Sequence, residues 1–150
     1  MPALNFSPEF ADDVAAGRKT QSIRPLGKRR WKVGDRVVCF TGMRHKGCRR
    51  LCEGTVSRVL IVRLSGKGVQ IGGKYGMYVP FITAHKIAAL DGFQDLNAML
   101  GWFARTHGLP FTGQLIRWTV TAEVRGGEAV GVDHIASAIL RGRSPIAGAP

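Results

Sequence analysis

The segment Gly17-Arg18-Lys19-Thr20-Gln21-Ser22-Ile23-Arg24 gathers residue types suited to chemistry on a polar substrate. A lysine among other cations, partly withdrawn from water, has its ammonium form disfavoured. Such a lysine serves as nucleophile or base. In a basic groove the same Lys19 instead contacts phosphate, and composition by itself favours that role. Strand alternation sets Lys19 and Ser22 on different nominal faces, so a bend or bulge at the strand start is needed to bring them together.

Other motifs carry less. Gly68-Val69-Gln70-Ile71-Gly72-Gly73-Lys74-Tyr75 nearly spells a phosphate-binding P-loop, but Tyr75 stands where Ser or Thr must hold Mg²⁺. A glycine hairpin or loop is expected there instead. Cys39, His45, Cys48 and Cys52 lack the paired CxxC spacing of zinc knuckles, and cations crowd them. No metal and no cofactor is expected. Neither GxSxG nor HExxH occurs, which leaves serine hydrolases and zincins without support. Tyr75 and Tyr78, beside glycines and Lys74, are the aromatics best placed to stack on bases. Phe103 and Trp118 read as core.

The elements that position these groups follow from pattern. Leu4 to Phe6 alternates as a short strand, and Ser7-Pro8 opens a helix that Gly17 ends. Strands are expected at Thr20–Arg24, Val37–Phe40, about 51–64 and Thr112–Val124. Pro25–Arg30 and Gly42–Gly47 read as basic loops, and Ser65–Tyr78 as a glycine-rich hairpin or loop that is not packed. Thr83–Ala89 reads as a helical turn. Leu96, Met99, Leu100 and Phe103 at 3–4 spacing predict a helix over Gln94–Thr106. Val132–Arg141 is expected as a short helix before a disordered tip. The order of elements predicts an α+β domain around a curved sheet or small barrel.

The chain has 150 residues and a formal net charge of +12. Twelve cations lie between Arg18 and Arg50: Arg18, Lys19, Arg24, Lys28, Arg29, Arg30, Lys32, Arg36, Arg44, Lys46, Arg49 and Arg50. Asp35 is the one acid among them. Charge so concentrated is the footprint of a polyanion partner, and nucleic acid is the usual one. The apolar runs are too short to span a membrane, and the basic residues follow no amphipathic helical pattern. Three cysteines and an N-terminus without a basic-then-apolar order predict a reduced, cytoplasmic protein.

Three pieces of the chain together resemble the ASCH family of the PUA-like superfamily. The first is the helix from Phe10 followed by Gly-Arg-Lys-Thr-Gln-Ser-Ile-Arg, similar to the family's G-x-K-T-x-x-x-R signature. The second is Lys32-Val33-Gly34-Asp35-Arg36-Val37, similar to its K-x-G-D turn before a barrel strand. The third is Asp91-Gly92-Phe93, the helix through Met99 and Phe103, and the strand with Trp118. The likeness covers roughly residues 3 to 120. It implies a small β-barrel flanked by helices over residues 1–125, with 126–150 as a C-terminal extension. It also implies a cleft for RNA, modified bases or nucleosides. One branch of the family resembles amidohydrolases that deacetylate N4-acetylcytidine with a lysine, a hydroxyl residue and a glutamate. By position these match Lys19, Ser22 and, one methylene shorter, Asp91.

Three functions follow as expectations. The first is binding of RNA, DNA or a modified nucleoside, with Arg18, Arg24, Lys28, Arg29, Arg30, Lys32, Arg44, Lys46, Arg49 and Arg50 on phosphate and Tyr75 and Tyr78 on bases. The second is hydrolysis in the same cleft by Lys19, Ser22 and Asp91, acting on an N4-acylcytidine or on the RNA backbone. The third is docking of an acidic protein partner.

Overall fold

Leu4 and Phe6 are buried and Asn5 is exposed, the period-two pattern that makes β1 (Ala3–Phe6). The structure, a computed structural model, describes residues 2–125 and 128–130. Pro8 occupies the first turn of α1 (Pro8–Ala15), where its missing N–H leaves no helical bond unmade. Gly17, at φ +74°, ends that helix. The elements that follow are β2 (Gln21–Pro25), β3 (Arg36–Thr41), β4 (Arg49–Ser65), β5 (Gly68–Ile71), a 3₁₀ turn (Gly73–Tyr75) and β6 (Met77–Tyr78). Then come α2 (Phe81–Leu90), α3 (Leu96–Thr106), β7 (Phe111–Arg125) and β8 (Glu128–Val130). The fold class is α+β, as the element order predicts. The strand pairing runs β1-β3-β4-β5-β6, with β7 on β4 and both β2 and β8 on β7. Among the described residues this is an open path and draws no closed barrel. No helix is long and apolar enough to cross a membrane among those residues.

The chain divides into two units. Unit one comprises Met1–Thr20, Val33–Ser57 and Trp118–Pro150. In it β1 runs parallel to β3, and β3 runs antiparallel to the first half of β4, with Cys39 opposite Cys52. The register shifts between Cys39 and Phe40, which leaves Leu51 as the extra residue of a bulge. Leu51 and Cys52 are consequently both buried. The core holds Val14, Val37, Val38 and Trp118, whose ring lies 6.0 Å from that of Phe6. Gly54 admits the backbone of β7 so closely that a Cβ there would meet Thr119 O at 2.6 Å.

Unit two comprises Gln21–Lys32 and Arg58–Arg117. Here β2 pairs antiparallel with the first half of β7, Ser22 opposite Ile116. The second half of β4 pairs with β5, and β5 with β6. Helices α2 and α3 supply Ala84, Ile87, Ala88, Met99 and Phe103 to a core shared with Ile23, Val62, Leu64 and Leu115. Asp95 caps α3 by accepting from Ala98 N at 2.7 Å, one residue inside the predicted start. The glycine-rich stretch is packed, contrary to expectation: Val69 and Gln70 are buried on β5. The predicted helix over Val132–Arg141 and the predicted tip lie outside the described residues.

Candidate nucleic-acid interface

Lys19 belongs to unit one and is buried, 3% exposed. Beyond Gly17 the amides of Arg18 and Lys19 both donate to Asp13 O, at 2.8 and 3.0 Å, which ties this segment to the end of α1. The Lys19 ammonium lies 5.7 Å from the centre of the Phe6 ring and 5.2 Å from that of Phe10. Aromatic faces attract a cation, so this setting favours the charged head where plain burial would not. Lys19 is therefore an interior lysine, whereas composition alone favours one in an open basic groove.

Ser22 and Asp91 belong to unit two, and both are buried. Ser22 Oγ accepts from Arg24 Nε at 2.8 Å, as residues two apart on one strand face permit. Asp91 closes α2, and its amide donates to Ile87 O and Ala88 O. A carboxylate at the negative end of a helix is poorly placed for the dipole, so its burial there needs compensating donors. Gln21, fully buried, supplies one: its Nε2 donates to Asp91 Oδ1 at 3.4 Å and to Ile87 O at 3.2 Å. Arg117 Nη2 in turn donates to Gln21 Oε1 at 3.1 Å. Burial, and after it the neighbouring Arg58 guanidinium, pushes the pKa of Arg117 down from the usual arginine value.

The twelve cations differ in their surroundings. Carboxylates outside the basic segment pair with Arg18, Arg36, Arg49 and Arg50. Arg18 pairs with Asp13 at 2.8 Å, Arg49 with Asp12 at 3.3 Å, and Arg36 and Arg50 both with Glu53. The hydrogen bond from Arg36 is the chief cause that holds the Glu53 carboxyl below its ordinary range, while partial burial opposes it. By contrast Lys28, Arg30, Arg44 and Lys46 are exposed and have no carboxylate partner among the described residues. Arg29 lies with its guanidinium 4.8 Å from the ring centre of the buried Trp31. Lys32 is exposed at the end of the same loop. In unit one Gly42 and Arg44 turn the other basic loop at positive φ. A cavity of about 590 Å³ opens beside that loop, lined by Phe6, Ser7, Asp12, His45 and Arg49 among others. Lys19, Ser22 and Arg24 are not among its lining residues.

No protein-family model, curated protein or solved structure matches the chain. Three buried glutamines to which the sequence alone assigns no role do much of the positioning in unit two. Gln21 joins Asp91 to β2. Gln114 accepts from Trp31 N at 3.1 Å and donates to Arg29 O at 3.3 Å, so it holds the basic loop between residues 25 and 32. Gln70 donates to Gly76 O at 3.0 Å and to Lys74 O at 3.4 Å, and it accepts from Arg63 at 3.0 Å. It thereby holds the turn that carries Tyr75. For Gln70 and Gln114 the available signal was a polar residue beside apolar strand neighbours, which implies a buried partner. Tyr75 and Tyr78 are both exposed, at 91% and 45%.

Proposed function

We propose that the protein binds nucleic acid, with RNA or a modified nucleoside as its ligand, and that it is an ASCH domain of the PUA-like kind. One observation carries the reading. The basic loop of unit two presents exposed Lys28 and Arg30 with no carboxylate partner among the described residues, on a backbone that Gln114 holds in place. Fixed, unneutralised cations are what phosphate recognition requires, because each phosphate neutralised releases condensed counterions. Exposed Arg44 and Lys46 supply the same chemistry in unit one.

A second reading, hydrolysis of an N4-acylated cytidine or of RNA, is favoured by the burial of Lys19, Ser22 and Asp91, each within its own unit. Burying a group able to carry charge is costly unless it is paired or hydrogen-bonded, and such groups are enriched at functional sites. In this reading Lys19 of unit one activates the water that releases the acyl group as its acid or cleaves the RNA chain.

One experiment separates the two. Wild type and Lys19→Ala are incubated with N4-acetylcytidine and with a mixed RNA pool, and both turnover and retained RNA are read by mass spectrometry. Salt-sensitive retention without turnover is the expected result. Lys19-dependent loss of the acyl group or of chain length establishes the hydrolase. Neither turnover nor retention overturns both readings.

A further inference from the structure

We infer that the sheet edge at β6, with the 3₁₀ turn before it and the first turn of α2 after it, is a stacking platform for unpaired bases of a single-stranded nucleic acid. The inference rests on the nucleic-acid reading above and adds to it the form of the ligand. Its first support is exposure. Tyr75 is 91% exposed, Met77 83%, Phe81 73% and Ile82 65%, all within eight residues of one another. Large apolar side chains normally go inside, and several together on a surface mark an interaction site. Among the described residues β6 ends the pairing path, and one of its edges carries no strand there.

The second support is rigidity. Gln70 holds the carbonyls of Lys74 and Gly76, and a Cβ at residue 76 would stand 1.9 Å from Ile71 O. Close approach therefore requires glycine there, and the turn that presents Tyr75 is held to the sheet. Side chains presented on a fixed backbone lose less freedom when a ligand arrives.

The third support is charge, and it selects the occupant. From Gly54 to Leu90 the chain has no acidic residue, yet it carries Arg58, Arg63, Lys67, Lys74 and Lys86. The Lys74 ammonium lies 5.6 Å from the centre of the Tyr75 ring, and the His85 ring lies 6.2 Å from that of Phe81. A second copy docking here would bring like charges together, which is unfavourable. A duplex keeps its base faces stacked inside. Aromatic faces interleaved with cations instead suit a single strand, whose phosphates meet the lysines while its bases stack.

The test is binding of a fluorescein-labelled mixed-sequence RNA of about 12 nucleotides, a length within the usual single-strand site sizes. It is measured as a single strand and annealed to its complement, for wild type, Tyr75→Ala, Phe81→Ala and Tyr75→Phe. Both replaced side chains are exposed, so the fold is not at stake. Each alanine variant is expected to weaken single-strand binding about fivefold or more. Duplex binding is expected to stay unchanged, and Tyr75→Phe to bind as wild type does. If wild type binds RNA and both alanine variants bind the single strand equally well, the platform is overturned and the nucleic-acid reading stands. If wild type binds neither form, that reading fails and the platform with it. If light scattering shows wild type as a dimer and Phe81→Ala as a monomer, the face belongs to a second copy and the inference is overturned.

Discussion

Gln114 joins two separated pieces of unit two through one side chain. It accepts from the amide of Trp31 and donates to the carbonyl of Arg29, and it is itself buried. A leucine in its place keeps the approximate volume but leaves a buried amide and a carbonyl without this partner. Such a loss costs about 1–3 kcal/mol. Gln114→Leu is therefore expected to lower stability by that amount and to loosen the loop bearing Lys28, Arg29 and Arg30. Limited digestion with trypsin, which cuts after these residues, reports the loosening directly. Faster cleavage there than in wild type is the expected result, and an unchanged rate shows that Gln114 does not hold the loop. At this scale the sequence revealed types but not partners. Lysine and arginine declare their charge wherever they stand, so the basic segment was visible from composition. A glutamine declares nothing about which carbonyl it will meet across the fold, and Gln21, Gln70 and Gln114 carry no readable role in the sequence for that reason. Asp91 was singled out through the family resemblance, not by any local pattern.

Among the elements, legibility followed how cleanly polar and apolar residues separate. Helix α3 buries Leu96, Met99 and Phe103 at the spacing read from sequence, and Asp95 supplies its cap. Helix α2 is ten residues long, longer than the turn expected, because Phe81 and Ile82 are exposed on it while Ala84, Ile87 and Ala88 are buried. Apolar residues on both sides blur the period from which a helix is read. Strand β4 shows the same contrast. Cys52, Gly54, Val56, Val62 and Leu64 all fall on even positions and are all buried, whereas Leu51 breaks the alternation at the bulge. A glycine within a strand signals close backbone approach, and Gly54 is such a case. Its Cβ would meet Thr119 O at 2.6 Å and Trp118 Cδ1 at 3.0 Å, two positions that cannot yield without parting β4 from β7. Gly54→Ala is expected to destabilise the protein by about 1–3 kcal/mol, as overpacking does. Gly47→Ala is the matched control, since nothing lies within 4 Å of its Cβ position and its φ is not positive. Denaturant unfolding of the two variants checks the contrast, and equal stabilities would show that β7 does not approach β4 so closely.

For the whole molecule, a count of charges along the chain overstates what is available to a ligand. Asp12, Asp13 and Glu53 lie outside the basic segment in sequence yet reach Arg49, Arg18, Arg36 and Arg50 in the fold. Two of these pairs, Arg36 with Glu53 and Arg49 with Asp12, are 17 and 37 residues apart and depend on chain reversals that no local window contains. They imply that two variants with the same formal charge will bind nucleic acid differently. Lys28→Ser with Arg30→Ser removes two cations that have no carboxylate partner among the described residues. Arg36→Ser with Arg49→Ser removes two that already share their charge with Glu53 and Asp12. Phosphate contacts govern how steeply affinity falls with salt, by about 0.7 in log–log slope per contact on a single strand. The first double variant is therefore expected to flatten that slope by roughly 1.4, and the second to change it much less. Titration of a labelled RNA across a range of salt concentrations measures both. Equal flattening would mean that net charge, and not the loop fastened by Gln114, attracts the ligand. A flatter slope in the first variant alone would place the phosphates on that loop.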